Sequence, residues 1–134
     1  MLHTAKDSKL SSLLDSDVLQ SEFIDSEKIT MQRLDEFLPA QRVISDQESI
    51  FLKMDTQGFD LEVFAGSKNL LKRIKGLMTE VSVKPLYNNM VNYKYAISVY
   101  ENSGYSLTGL SIVAVNHNKE ILELNCLFKK DVLA

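Results

Sequence analysis

Asp55 closes an apolar run, Ile50-Phe51-Leu52-Lys53-Met54, and is followed at once by Thr56-Gln57-Gly58. A nearly continuous apolar run of this length suits a strand covered on both faces, as in a parallel sheet. Open α/β sheets bind their ligands at the carboxyl ends of such strands. A carboxylate placed there can orient a bound ligand or take a proton from it. The same Asp can equally cap the next helix or brace the turn. Gln57 and Gly58 either shape a pocket mouth or make a turn whose glycine supplies a positive φ. Asp60 stands at a helix start, where the helix dipole alone accounts for a carboxylate.

Lys53 interrupts the apolar run, and a buried lysine needs a partner. Glu80 on the neighbouring strand can supply it, and Glu80 also stands where it would border a pocket. Tyr87, Tyr93 and Tyr95 either line an acceptor site or cover a sheet edge and helix. His3 and His117 are far apart and have no partner at metal-ligand spacing, which argues against a zinc or iron site. Ser11 and Ser12 lack the Gly-x-Ser-x-Gly elbow of serine hydrolases. Cys126 lies inside an apolar strand and reads as core rather than nucleophile.

These residues need elements to hold them. Residues 1–26 form a polar segment rich in Ser and Asp, and Leu10, Leu13, Leu14, Val18 and Leu19 are spaced for a short amphipathic helix. Residues 27–134 form the main unit. Lys28-Ile29-Thr30-Met31 reads as a short strand, and Arg33 to Leu38 as a helical turn stopped by Pro39. Residues 41–49 are loop-like, and the 50–54 strand follows. Leu61, Val63, Phe64, Leu70, Leu71 and Ile74 mark a helical stretch broken or bent near Gly66. Lys72, Arg73 and Lys75 suit its last turn, and Gly76 its end. Leu77 to Val83 is the next strand. Asn92 caps a helix to about Ser103, closed by Gly104. Residues 105–115 and 121–128 are strands joined so closely that they must form an antiparallel hairpin. The order strand, helix, strand, helix, strand, strand argues for an α/β sheet with helices on its faces.

The 134 residues suffice for one domain or part of one. With 45% hydrophobic and 25% charged residues, the balance is that of a folded globular chain rather than a disordered tail. A net charge of −3 gives no basic excess for nucleic acid. The single cysteine cannot form an internal disulfide, and reads as a reduced residue of a cytoplasmic protein. No apolar run approaches the ~20 residues of a membrane span, and Met1 to Leu10 is not a signal peptide.

The segment from Phe51 to Gly66, Phe51-Leu52-Lys53-Met54-Asp55-Thr56-Gln57-Gly58-Phe59-Asp60 onward, resembles the signature of FkbM-type S-adenosylmethionine-dependent methyltransferases. Upstream, Ile29 to Leu38 is similar to that family's strand followed by Leu-Asp. Downstream, Thr79-Glu80-Val81-Ser82, Leu86-Tyr87 and Gly104-Tyr105 fall at similar spacings. The resemblance covers about residues 10–130. It implies a partial class I methyltransferase sheet, Rossmann-like, with a terminal antiparallel hairpin. It implies that Asp55 is catalytic and touches both methyl donor and acceptor. Gln57 and Gly58 would then share the donor side, and Glu80 and Tyr87 the substrate side.

Two features of that family have no counterpart. The glycine-rich turn after the first strand, which lets backbone approach the donor, is absent, as is the acidic residue for its ribose. The first glycine is Gly58, on what would be the fourth strand. The chain resembles the carboxyl half of the domain. Three readings follow. In the first, it belongs to a domain that moves a methyl group from S-adenosylmethionine to a hydroxyl of a sugar or small metabolite, with weak or no donor binding by this chain. In the second, it is a non-catalytic α/β interaction module. In the third, the chain begins too late. The strand at 50–54, left at an open edge, is expected to pair with a second copy or another chain.

Overall fold

A computed structural model of the chain describes residues 1–17, 19–45 and 47–131. Val18, counted above in the N-terminal helix, lies outside them, as do Asp46 and residues 132–134.

The N-terminal segment is not an amphipathic helix. Strand β1 (Leu2–Ala5) pairs antiparallel with β2 (Phe23–Glu27), with one 3₁₀ turn, Ser8–Leu10, between them. The serines explain the difference. Ala5 N donates to Ser11 Oγ at 3.1 Å, Leu14 N to Ser12 Oγ at 3.0 Å and Leu19 N to Ser16 Oγ at 3.0 Å. Hydroxyls that capture backbone N–H groups offer the chain an alternative to the helical ladder. The strand expected at Lys28–Met31 lies instead at 23–27, where β1 supplies hydrogen-bond partners; Ile29 and Met31 are exposed. Helix α1 (Leu34–Ala40) runs through Pro39 rather than stopping before it. Pro39 sits in the last turn, where its missing N–H costs a single helical bond.

The main sheet has the order β3-β4-β6-β5, built from β3 (Ile50–Lys53), β4 (Ile74–Ser82), β5 (Tyr105–Val115) and β6 (Ile121–Lys130). β3 and β4 are parallel, and β6 runs antiparallel to both β4 and β5. The hairpin expected at the carboxyl end is therefore present, with its second strand inserted between β4 and β5. Helix α2 (Asp60–Ala65) connects β3 to β4, followed by a 3₁₀ turn at Lys68–Leu70. Helix α3 (Tyr93–Asn102) connects β4 to β5. Asn92 caps α3 as expected, its side chain accepting from Lys94 N at 2.9 Å. Gly104, at φ +81°, turns the chain into β5.

Both crossovers step the same way across the sheet, so right-handed connections bring α2 and α3 to one face. The core lies there. Leu52, Leu77, Val81, Cys126 and Phe128 from the strands pack with Phe64 of α2 and Tyr100 of α3. Tyr100 stands between Phe64 and Phe128, with ring centroids 4.9 and 5.1 Å away. Cys126, at the middle of β6, is fully buried, and burial pushes its thiol up to about 11.

Among the described residues no α-helix covers the opposite face, which the N-terminal segment meets where β3 and β4 end, and this corrects the expectation of cover on both sides of β3. Leu52 and Met54 point into the core, but Phe51 is 58% exposed. The Phe51 ring instead lies across Gly76. A Cβ at that glycine would sit 3.1 Å from the ring and 3.2 Å from Phe128 O. Gly76 is thus a close-approach residue inside β4, not the end of a helix, and Lys75 stands in β4 as well. Lys53 is also on the bare face, and is not a buried partner of Glu80. Its ammonium pairs with Asp55 at 3.0 Å, both side chains about half exposed.

A carboxylate cleft as candidate functional site

The parallel ends of β3 and β4 and the start of β6 meet at one edge of the sheet. Their register sets what stands there. Lys53 pairs with Met78, so Asp55, two residues on, comes level with Glu80. Glu80 pairs with Asn125, and Ser82 with Glu123, on the same bare face. Three strands therefore deliver Asp55, Glu80 and Glu123 to one place. They line a cleft of about 460 Å³ together with Gln57, and Leu10 and Ser11 form its opposite wall.

The three carboxyls are not equivalent. Burial, then the neighbouring charges of Glu123 and Asp55, push Glu80 up to about 7. Asp55 moves the other way: the hydrogen bond from Lys53 holds it below the usual carboxylate range. Near neutral pH the cleft thus holds one firmly ionised carboxylate beside one poised to take or give a proton. Pairs of acids driven apart by their surroundings are the usual basis of acid–base roles. Among the described residues, no three His, Cys, Asp or Glu side chains are arranged to hold a metal ion. His3 stacks on Phe23 in the small sheet, and His117 is exposed in the β5–β6 turn.

The turn Thr56-Gln57-Gly58 joins this cleft to the N-terminal segment. Gln57 has φ +50° and Gly58 φ +95°. Ser12 Oγ donates to Gln57 O at 2.8 Å. The Tyr87 hydroxyl lies 2.9 Å from Gln57 Oε1 and 3.2 Å from Leu10 O. Asn88 N donates to Asp15 O at 2.7 Å, and Ser16 Oγ donates to Leu86 O. Of the expected site residues, Asp55, Gln57 and Glu80 line the cleft. Tyr87 is buried behind Gln57 and fixes its amide. Gly58 is not in the cleft: the space above it is filled by Met90 and by Leu14, whose side chain would lie 2.9 Å from a Cβ added at this glycine. Glu123 and Ser11 join the site without having been expected there.

Beneath the cleft lies Asp60. It is buried and accepts from Thr56 N at 2.9 Å, from the Thr56 hydroxyl, from Thr79 Oγ1 at 2.6 Å and from Glu80 N at 3.2 Å. Thr79 spends its one proton on Asp60, so the Tyr100 hydroxyl, 3.2 Å away, donates to Thr79. A helix-start carboxylate here does more than answer a dipole: it ties the end of β3, the start of α2 and β4 together under the site.

The family model described as Methyltransferase FkbM domain matches residues 3–124. The chain belongs to the FkbM methyltransferase family. The match begins inside β1, so the N-terminal segment that walls the cleft lies within the family domain. No curated protein and no solved structure matches the chain. No helix among the described residues is long and apolar enough to cross a membrane.

Membership of the FkbM family suggests S-adenosylmethionine as methyl donor. The described residues do not build a pocket for it at the Gly58 turn. Gly58, the glycine at the ligand edge, offers no open cradle, because Leu14 and Met90 occupy it. Among the described residues no buried side-chain polar atom waits for a partner. The cleft's charged lining is mainly carboxylate, which suits an acceptor better than a donor's own carboxylate.

Proposed function

We propose that this FkbM-family chain provides the acceptor side of a methyl transfer, its cleft receiving a hydroxyl of a sugar or small metabolite. The observation that carries this reading is the opposed pair Asp55 and Glu80, one held ionised and the other raised to about 7, at the ligand end of the sheet. Asp55, held ionised, accepts a hydrogen bond from the bound hydroxyl and orients its oxygen, and Gln57, steadied by Tyr87, hydrogen-bonds its neighbour. Neutral Glu80 donates a hydrogen bond to a second acceptor oxygen. Positioning accounts for most of such a reaction's acceleration. The strand order β3-β4-β6-β5, with only β6 reversed, supports a Rossmann-like class I arrangement. The donor is S-adenosylmethionine, and this chain alone binds it weakly or not at all.

A non-catalytic α/β interaction module is the second reading, favoured by the filled space at Gly58 and by the bare sheet face. Two measurements separate them. Calorimetry with S-adenosylmethionine is expected to give no low-micromolar binding, and such binding would overturn the account of the donor. Nuclear magnetic resonance titration with monosaccharides and their methyl glycosides is expected to shift Asp55, Gln57, Glu80 and Glu123 together. Asp55→Ala should abolish the shifts without unfolding the chain. No response from any hydroxyl ligand leaves the module reading.

A further inference from the structure

One wall of the carboxylate cleft is not built by the main sheet. Asp55, Glu80 and Glu123 stand on one side of it, and Ser8 to Ser11 on the other. That second wall belongs to the N-terminal segment, whose strands β1 and β2 form a sheet of their own. Among the described residues, no side chain before Leu34 joins the hydrophobic core or packs against it. A two-stranded sheet without such packing is marginal by itself, so its attachments decide where it stands.

Those attachments are mainly polar and fall on two short segments. Ser12 Oγ donates to Gln57 O at 2.8 Å, in the turn after β3. In the loop after β4, Leu86 O accepts from Ser16 Oγ, and Asn88 N donates to Asp15 O at 2.7 Å. Leu14 adds apolar contact over Gly58, beside Met90. Ser12 and Ser16 are each 1% exposed, so water replaces their bonds only when the segment lifts. At its far end the segment runs into residues 28–32. These are exposed, lie in no helix or strand and, among the described residues, make no backbone hydrogen bond. A groove of about 530 Å³ runs beside this stretch, lined by Ile29 and Met31 together with Phe59 and Val63, so the stretch is not packed down on α2.

We infer that the segment from β1 to β2 is a hinged flap over the cleft, with residues 28–32 as its hinge and Ser12, Asp15 and Ser16 as its latch. A few unpaired loop residues suffice to absorb such a motion. Hydrogen bonds of modest net worth hold the flap down, so it opens far more often than the packed core does. Lifting it removes the wall from Ser8 to Ser11 and admits a ligand. A ligand seated between Ser11 and the carboxyls touches both flap and sheet, so it favours the closed form and holds the flap down. This last step rests on the cleft being a ligand site; the flap itself does not.

Native-state hydrogen exchange on the full chain tests this. The Asn88 amide reads the latch, the β1–β2 amides read the flap, and Leu77 and Cys126, on inner strands, read the core. The latch and flap amides are expected to exchange together, about a hundredfold or more faster than the core amides and with a weaker dependence on denaturant. Ser16→Ala, at a residue outside the cleft lining, should speed them about tenfold and leave the core amides and the melting temperature near those of the parent. A methyl glycoside at about ten times its dissociation constant should slow them about tenfold. Flap amides that exchange at the core's rate, with the core's dependence on denaturant, overturn the inference. So does a Ser16→Ala chain in which every amide speeds up alike. A glycoside that shifts the cleft resonances but leaves flap exchange unchanged overturns the gating of the cleft. A chain that takes up no glycoside, yet shows the expected exchange pattern and the Ser16→Ala effect, keeps the flap and fails the acceptor reading alone.

Discussion

At the scale of single residues, the cleft sets carboxyls of different acidity side by side. Glu80 is neutral in the native cleft up to about pH 7, whereas its ordinary value is 4.5. The folded state therefore binds more protons than the unfolded state between those values, so Glu80 contributes stability below 4.5 that is lost as pH rises through about 7. Glu80→Gln should match the parent in acid and melt higher above pH 7, by on the order of 3 °C for this size of domain. Thermal melts from acid to mildly alkaline pH check this, and equal melting curves at high pH would mean the Glu80 charge is solvated at no cost. Asp55 has the opposite sign. Its pairing with Lys53 is present above the ordinary carboxyl range and is lost as pH falls through its lowered value. Asp60 serves structure. Asp60→Ala strands buried Thr79 and two backbone donors, and should cost about 2–4 kcal/mol in chemical denaturation. Asp55, Gln57 and Glu80 were legible in the sequence because a strand end can be read from pattern alone. Glu123 was not, because its place depends on the pairing of β6 with β4, a contact across some forty residues that no local pattern encodes.

At the scale of elements, local rules succeeded where one interaction dominates and failed where two compete. The Asn92 cap, the Gly104 turn and the β5–β6 hairpin are local, and they stand where expected. The N-terminal helix failed because serine hydroxyls draw the backbone N–H groups away. Gly76 misled for a different reason. Its glycine was needed not by a helix end but by the Phe51 ring resting on it, a contact invisible in sequence. Gly76→Ala is therefore expected to destabilise by about 1–3 kcal/mol. Phe51 can swing out towards solvent, but Phe128 O, 3.2 Å from the new methyl group, belongs to the neighbouring strand and cannot. Denaturant melts of Gly76→Ala with and without Phe51→Ala separate the two contacts. If the second change restores full stability, the ring alone was responsible.

At the scale of the whole molecule, one sheet divides two environments: a packed side with both crossover helices and an open side ending in the carboxylate cleft. The class of fold followed from the order of elements, but which face would stay bare did not, because cover depends on the direction of each crossover. Cys126 lies at the centre of this arrangement, on the middle of an inner strand, fully buried and the chain's only thiol. It is a built-in reporter. A thiol reagent can reach it only when α2 and α3 lift from the sheet or the sheet itself opens, and its thiolate forms only then in useful amount. The rate of labelling under native conditions thus measures how often this core opens, and its dependence on denaturant tells whether it opens in part or all at once. We expect labelling slowed by roughly a thousandfold or more relative to the unfolded chain, in line with ordinary domain stability. The same clock, run at rising protein concentration, would register any partner settling on the open face as a further slowing, with no label or tag added to the molecule.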